Sequence, residues 1–448
     1  MKARRAKSSA AVALFVAVFG AATSFATRAG ASERALTLED ALSLARSNAP
    51  SVKQALARVA DAEARLSRAS APRVPTIGVV GSGNGFASNG SFVTQGVSTP
   101  TSQTAVWADA TLNLTWTLLD FGKTSGAVRG AEAGIDGARD DLRASAETAM
   151  AQAAVAYYTL LGDDALVAAA RESLAQRERS LAVTTGLAAA GARSPVDANR
   201  ARVAVEAARS DLAVAEATAD DDALSLAAAL SLPVDERIRV ARPAEIRIDD
   251  DPRAAAEAAL AARPELAGAR RRVEQARFGL DSARSGRLPT LSTQASGTVR
   301  YTYLPDGDVK GGETSKIAQG SLILSMPILD PTITANVRVA EASISAAEAD
   351  AIARAANVRY EAARAAIAVR SARAVLAQAK QQETGASANL ALVEDRYKNG
   401  FAGPLDVIDA QREDAAARVL AIRSARTLDV ARLRLLAATG KIDALRRK

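Results

Sequence analysis

One ordered set of short motifs runs through this chain twice. Pro50-Ser51-Val52 and Arg73-Val74-Pro75-Thr76 return as Pro264-Glu265-Leu266 and Arg287-Leu288-Pro289-Thr290. Leu119-Asp120 returns as Leu329-Asp330, and Pro195-Val196-Asp197 as Pro404-Leu405-Asp406. Pro75 and Pro289 are 214 residues apart, Asp120 and Asp330 are 210 apart, and Pro195 and Pro404 are 209 apart. Offsets that drift so little mark a duplicated unit, and duplication in a helix-plus-strand chain favours quasi-symmetric assembly.

Proline divides each copy into segments. The stretches from Gly122 to about Ala190 and from Thr332 to about Lys398 are Ala-rich and free of Pro, so each is expected to run as one helix on the order of 100 Å long. The returns, Pro195 to Leu230 and Pro404 to Thr439, are about half that length by the same rise. The segments before the strands, Pro50 to Ala71 and Pro264 to Gly286, are shorter still. A long helix can therefore lie beside two short ones stacked end to end. Thr37-Leu38-Glu39-Asp40 has the form of a helix start, and Ser194, Pro195 and Asp197 read as cap, first and third helical residues.

Between the helices the period changes from 3.6 to 2. Val106, Ala108, Ala110, Leu112, Leu114, Trp116 and Leu118 alternate with Trp107, Asp109, Thr111, Asn113, Thr115 and Thr117. In the second copy Leu291, Thr293, Ala295, Val299, Tyr301 and Tyr303 alternate with polar residues and Arg300. Such patterns set one face in an apolar medium and the other in water. Strands are expected at about 75–86, 105–118, 290–303 and 317–328, with polar, Gly-rich loops at 87–104 and 305–315. Each approaches the length of a tilted membrane-crossing strand. Four strands cannot close a barrel, and an open edge in lipid leaves unpaired N–H and C=O groups, so chains must pool their strands. Two chains give eight and three give twelve; the strand count does not choose. Trp107, Trp116, Tyr301 and Tyr303 are expected in or near this barrel, with Trp107, on the polar face, near a rim.

Composition removes several chemistries. The chain has no His and no Cys, so the commonest general base, the thiol nucleophile and the soft metal ligands are missing. Lys2, Arg4, Arg5 and Lys7 precede an apolar run from Ala10 to Ala22 and a small-residue site at Ala29-Gly30-Ala31, the pattern of a secretory signal over residues 1–31. That segment holds five basic residues and no acid, so removing it lowers the net charge from +7 to +2. Nucleic acid is not an expected partner. Arg270-Arg271-Arg272, without interleaved aromatics, reads as a solvated helix face.

The opening Leu36-Thr37-Leu38-Glu39-Asp40-Ala41-Leu42, the two helix–Pro–strand joins, Leu119-Asp120-Phe121-Gly122, Tyr397-Lys398-Asn399-Gly400 and Pro404-Leu405-Asp406-Val407-Ile408-Asp409 occur here in one order. With them the chain resembles the TolC-like outer-membrane efflux protein family over essentially its whole mature length. The resemblance implies an α+β membrane protein with internal duplication. In it, a long antiparallel α-helical coiled-coil barrel is continuous with a transmembrane β-barrel of four strands per chain, twelve in a homotrimer. It divides the chain into a signal (1–31), a first repeat (32–232), an inter-repeat equatorial segment (233–263) and a second repeat (264–448). It further implies a passive exit duct in the outer membrane of a Gram-negative bacterium, extending into the periplasm. The implied partners are outer-membrane lipids, a periplasmic adaptor and an inner-membrane transporter, with no cofactor and no metal. A soluble periplasmic scaffold or adaptor is the competing reading, and the alternating strands, which a scaffold has no use for, argue against it. An enzyme is the other rival, opposed by the missing His and Cys and by the absence of any acid–base constellation in the sequence.

In the family the tips of the two long hairpins form the periplasmic entrance. The resemblance places Asp406 and Asp409 at its constriction, matches Asp197 to an acid that holds the coils closed, and sets Tyr397 beside the second tip. The family's best-known member carries a basic residue where this chain has Ala402. Arg193 stands at the repeat-equivalent position, so the latch charge is expected on the other tip. Asp406 and Asp409 are one turn apart and could stack two carboxylate rings, whereas their counterparts are Asp197 and Arg200. Carboxylates about 6 Å apart repel by roughly 3 kcal/mol at an effective dielectric of about 20. Helix capping accounts for Asp197 and Asp406 equally well. Adaptor docking is expected around Gly191 and Gly400.

Other strings fail on spacing. Phe121-Gly122-Lys123-Thr124 lacks the first Gly of a phosphate loop, because Thr117 stands there. Gly81-Ser82-Gly83-Asn84-Gly85 does not have dinucleotide spacing. Asp220-Asp221-Asp222 and Asp249-Asp250-Asp251 read as solvated helix or loop ends.

Overall fold

The computed structural model describes residues 34–94, 97–233, 238–244, 246, 248–304 and 311–446. The signal at 1–31 lies outside the described residues. In chain order the elements are β1 (Arg34–Leu36), α1 (Leu38–Asn48), α2 (Pro50–Ser70), β2 (Thr76–Thr94), β3 (Val97–Leu119), α3 (Lys123–Ala189) and α4 (Pro195–Leu230). Then follow β4 (Ile238–Val240), α5 (Pro252–Ala262), α6 (Pro264–Ser285), β5 (Thr290–Leu304), β6 (Gly311–Ser325), α7 (Pro331–Lys398) and α8 (Pro404–Ala438).

Helices α3 and α7 have 67 and 68 residues, about 100 Å each. The two joins from the four-stranded sheet into α3 and α7 use the repeated Leu-Asp pair in the same way. Asp120 accepts from the Thr124 backbone N–H at 2.8 Å, and Asp330 from that of Thr332 at 2.8 Å. Each carboxylate thus satisfies a donor that the first helical turn leaves open. Phe121 (φ 48°) and Gly122 (φ 112°) make the sharp turn in the first copy.

The wall is four elements wide at every level. Nearest the sheet its order is α2–α3–α6–α7, and toward the tips α4–α3–α8–α7, so α6 and α8 share the lane between the long helices. The sheet repeats this as β2-β3-β5-β6, all antiparallel. Helices α3 and α6 approach closely because small residues line the contact: a Cβ on Gly126 would lie 2.9 Å from the Ser282 nitrogen. One flank therefore always presents the first repeat (β2, α2, α4) and the other always the second (β6, α7).

A second layer thickens the middle. β1 pairs in parallel with β4, and with α1 they pack Leu36, Leu42, Met150, Tyr157, Leu226, Leu230 and Leu433 into one apolar cluster. Helix α5 covers the opposite stretch through Ala255 and Ala259 against Val358, Ala362, Ala366 and Val369. The Tyr157 hydroxyl lies 3.0 Å from the Leu36 carbonyl and 2.5 Å from that of Ala241, tying the layer to α3.

The sheet is longer than its apolar alternation. β2 and β3 have 19 and 23 residues and pair continuously out to Thr94↔Val97. Most of the expected loop at 87–104 is thus strand, and 311–315 belongs to β6. Ser, Thr, Gly and Asn there carry no apolar signal, yet backbone pairing does not depend on side-chain polarity. Two charged runs also depart from expectation. Arg272 donates to Asp141 at 2.8 Å, joining α6 to α3, so that run is partly a helix–helix tie. In the acidic run 249–251 Asp250 pairs with Arg373 at 2.9 Å and Asp251 caps α5 at Ala254.

Candidate functional site

At the tips, the two turns are built alike. Ala192 N–H reaches Leu187 O and Gly191 N–H reaches Ala188 O, while Phe401 reaches Arg396 and Gly400 reaches Tyr397. This pairing ends a helix only with a left-handed residue, and Gly191 (φ 72°) and Gly400 (φ 81°) supply it without a Cβ clash. Ser194 then accepts from Val196 N–H at 3.3 Å, and Asp406 accepts from Gly403 N–H at 2.8 Å, so α4 and α8 both begin at Pro.

Charged side chains at the tips are paired within and between the turns. Asp197 lies 3.9 Å from Arg200 and Asp409 lies 3.5 Å from Arg412. Arg193 spans the gap between the turns. Its guanidinium stands 5.0 Å from the Tyr397 ring centroid, and its Nη2 donates to the Ala402 carbonyl at 3.5 Å. Asp406 spends one oxygen on its own helix start. Further up, Gln176 donates to Glu394 at 3.2 Å and Arg418 pairs with Glu172 at 2.8 Å, both linking the coil of α3 and α4 to that of α7 and α8.

At the other end the sheet has two unlike faces. Ile77, Val79, Leu112, Tyr301, Leu322 and Leu324 share one face, and Val79 is 74% exposed in the single chain. Asp109, Thr111, Asn113 and Arg300 share the other. Arg300 Nε donates to Asp109 at 2.6 Å and its guanidinium lies 5.7 Å from the Trp107 ring. A cation over the ring therefore accommodates Trp107 on the polar face. Trp116 donates its indole N–H to the Arg73 carbonyl at 3.1 Å, at the helix end of the strand. Ala108, opposite Tyr301, is eight residues further along, about 26 Å of strand. At a tilt of about 40° this projects to about 20 Å, close to an apolar band of about 25 Å.

Residue pattern did not reveal one cluster. Asp163, 2% exposed within α3, pairs with Arg426 of α8 at 2.7 Å, while burial first, and then the Asp222 carboxyl of α4, raise it above the ordinary carboxylate range. The acidic run 220–222 is therefore only partly a solvated end. Gly162 makes room for it, since a Cβ there would lie 2.6 Å from Arg426 Cδ. A glycine beside two acids inside an Ala-rich helix was the available signal.

The fold defines a strip of wall, four elements wide in sheet and helices alike, that is open on both flanks. The chain belongs to the outer membrane efflux protein family, whose profile matches residues 41–231 and 255–441. The outer membrane efflux protein BepC of Brucella suis is 27% identical over 341 residues, covering 74% of this chain and 72% of that one. The toluene efflux pump outer membrane protein TtgF of Pseudomonas putida is 30% identical over 212 residues, 46% of this chain and only 42% of its own length. Among solved structures, VceC from Vibrio cholerae shares the fold at a TM-score of 0.71 and 20% identity, over 90% of this chain and 96% of that one. The open state of the MtrE channel from Neisseria gonorrhoeae gives 0.66 at 20% identity, over 90% and 88%.

Proposed function

We propose that three copies close flank to flank into an outer-membrane exit duct for a tripartite efflux system. The duct conducts cargo passively from an inner-membrane transporter and a periplasmic adaptor to the exterior, with no catalytic step and no cofactor. The observation that carries this reading is the common order of the layers. The same two flanks are open in the sheet and in both tiers of helices, so one rotation closes all three at once. Twelve strands then leave no edge in lipid. In planar lipid bilayers the detergent-extracted protein should insert as discrete conductance steps. Folded protein that extracts with detergent but never conducts would sink the proposal.

For the entrance, we propose that Arg193, seated on Tyr397 and Ala402, holds the two tips of one chain together and keeps the resting mouth narrow. Asp406 and Asp409 give the second tip its negative charge, which Arg412 offsets in part, while Asp197 and Arg200 balance each other on the first. The twin turns at Gly191 and Gly400 present the adaptor with two similar docking points per chain.

A further inference from the structure

Lys316 is the one charged residue among the described residues on the apolar face of the sheet. It stands abreast of Val299 and Ala110, whereas Asp109, Arg300 and Glu313 all take the polar face. It is exposed and makes no ion pair among the described residues. Strand β2, the edge that meets β6 of the next copy in the proposed trimer, carries no acid from Thr76 to Thr94, so the neighbour's strand offers no counter-ion either. Toward the middle of the sheet the same face is stripped of large side chains. Leu112, Gly297 and Ala318 lie abreast, and so do Leu114, Ala295 and Gly320. They border an open trough of about 470 Å³. A Cβ on Gly297 or Gly320 would meet nothing within 4 Å. The Tyr301 ring lies over Gly312, toward the hairpin end, and so leaves the trough clear. The hairpin ends point away from the helices, which makes them the outer end of the barrel. Ala110 is six residues beyond Trp116, about 20 Å of strand, or about 15 Å across the bilayer at a tilt of about 40°. Lys316 therefore lies in the outer half of the apolar band, with a stem long enough to carry its ammonium up to the outer interface.

We infer that Lys316 and the trough together hold one phosphorylated lipid of the outer leaflet per chain, with a phosphate oxygen on the ammonium and an acyl chain over Gly297 and Gly320. The inference rests on the barrel standing in the outer membrane as proposed above. A lysine on a lipid-facing strand is costly unless it reaches an anion, and the described protein supplies none. A lipid phosphate supplies the charge, while a zwitterionic head group brings its own cation and offsets it. The small residues leave a flat floor, so a chain can lie against Leu112 and Leu114 along its length and bury apolar surface on both partners. The site also has a direction. Its cation is at the outer end and its trough runs inward from there, so a lipid of the inner leaflet would set its head at the Trp116 end, away from Lys316.

Native mass spectrometry of the full-length protein, extracted in a neutral maltoside detergent and titrated with lipid A or with phosphatidylcholine, counts the lipids retained per chain. The wild type should keep one lipid A per chain and prefer it over phosphatidylcholine by about fivefold, the effect of one lysine near an anionic surface. Lys316→Ser should erase that preference and Lys316→Arg should keep it. Gly297→Leu, which fills the trough and leaves the charge in place, should weaken retention of lipid A, and inorganic phosphate should not displace it. Equal retention of the two lipids by the wild type, a preference that survives Lys316→Ser, retention unchanged in Gly297→Leu, or displacement by inorganic phosphate alone would overturn the site. The comparison of the two lipids on the wild type needs no variant to fold. These readouts count bound lipid rather than current. A conducting protein without the preference loses only this site, whereas release of the wild type from membranes by salt alone would remove the barrel with it.

Discussion

Arg193 and Ala402 occupy equivalent places in the two repeats, 209 positions apart, and they touch: the Arg193 guanidinium donates to the Ala402 carbonyl at 3.5 Å. The duplication thus meets itself at the tips. One copy supplies the charge and the other supplies the backbone oxygen and the Tyr397 ring.

Removing that charge should loosen the mouth. A cation over an exposed ring contributes about 0.5–1 kcal/mol, so Arg193→Ala should raise the open population about two- to fivefold. Single-channel recordings measure this directly. Arg193→Lys should recover part of the effect, and an unchanged open probability in Arg193→Ala would place the latch elsewhere.

Gly162→Ala sets two effects of opposite sign against each other. Helix propensity alone predicts a gain of about 1 kcal/mol. The new Cβ, however, would displace Arg426 and leave the buried Asp163 without its cation, a loss of about 3–5 kcal/mol. The net expectation is destabilisation by about 2–4 kcal/mol. It is read as a lower midpoint in denaturant unfolding followed by helical circular dichroism, and a higher midpoint would refute it.

Glu147 gives a pH dependence of its own. Burial pushes it up to about 7, against the pull of Arg263 and with help from Glu265 and Asp443. Because the folded state holds the proton more tightly, the stability from this group is complete below the ordinary Glu range and is lost as pH rises through about 7. Melting temperature should therefore decline more steeply over that window in the wild type than in Glu147→Gln. Parallel curves would show that Glu147 titrates normally.

Tyr157→Phe tests the middle layer. The phenol meets two buried-side carbonyls, Leu36 and Ala241, and its loss leaves them without that donor. A cost of about 1–3 kcal/mol is expected, with helical content unchanged. Limited proteolysis should reach the segment near Ala241 sooner in the variant, and equal cleavage rates would count against the tie.

How much of this was legible depended on whether a signal was local. Pro195, Pro331 and Pro404 sit at the first position of their helices and announced three boundaries directly. Glycine caps at 191 and 400 did the same for the turns. The far arms of β2 and β3 were not legible, because Ser88 to Thr94 pair through backbone groups that any sequence possesses. Trp107 could be placed on the polar face but not explained, since its partner Arg300 lies 193 residues away on a neighbouring strand. Arg426 was hidden for a similar reason. Which side chain of α8 meets Asp163 is fixed by the phase of two long helices and by the gap at Gly162, and neither is written near residue 426.

The central claim is that the flanks of three identical strips close on one another. The chain has no Cys, so engineered pairs have no background. With one cysteine scanned along β2 around Val79 and another along β6 around Leu322, no intrachain bond can form, because β3 and β5 lie between them. Oxidation in the membrane should give covalent dimers and trimers and stop at three chains. Monomers alone at every register, or a ladder that continues past three, would contradict the account.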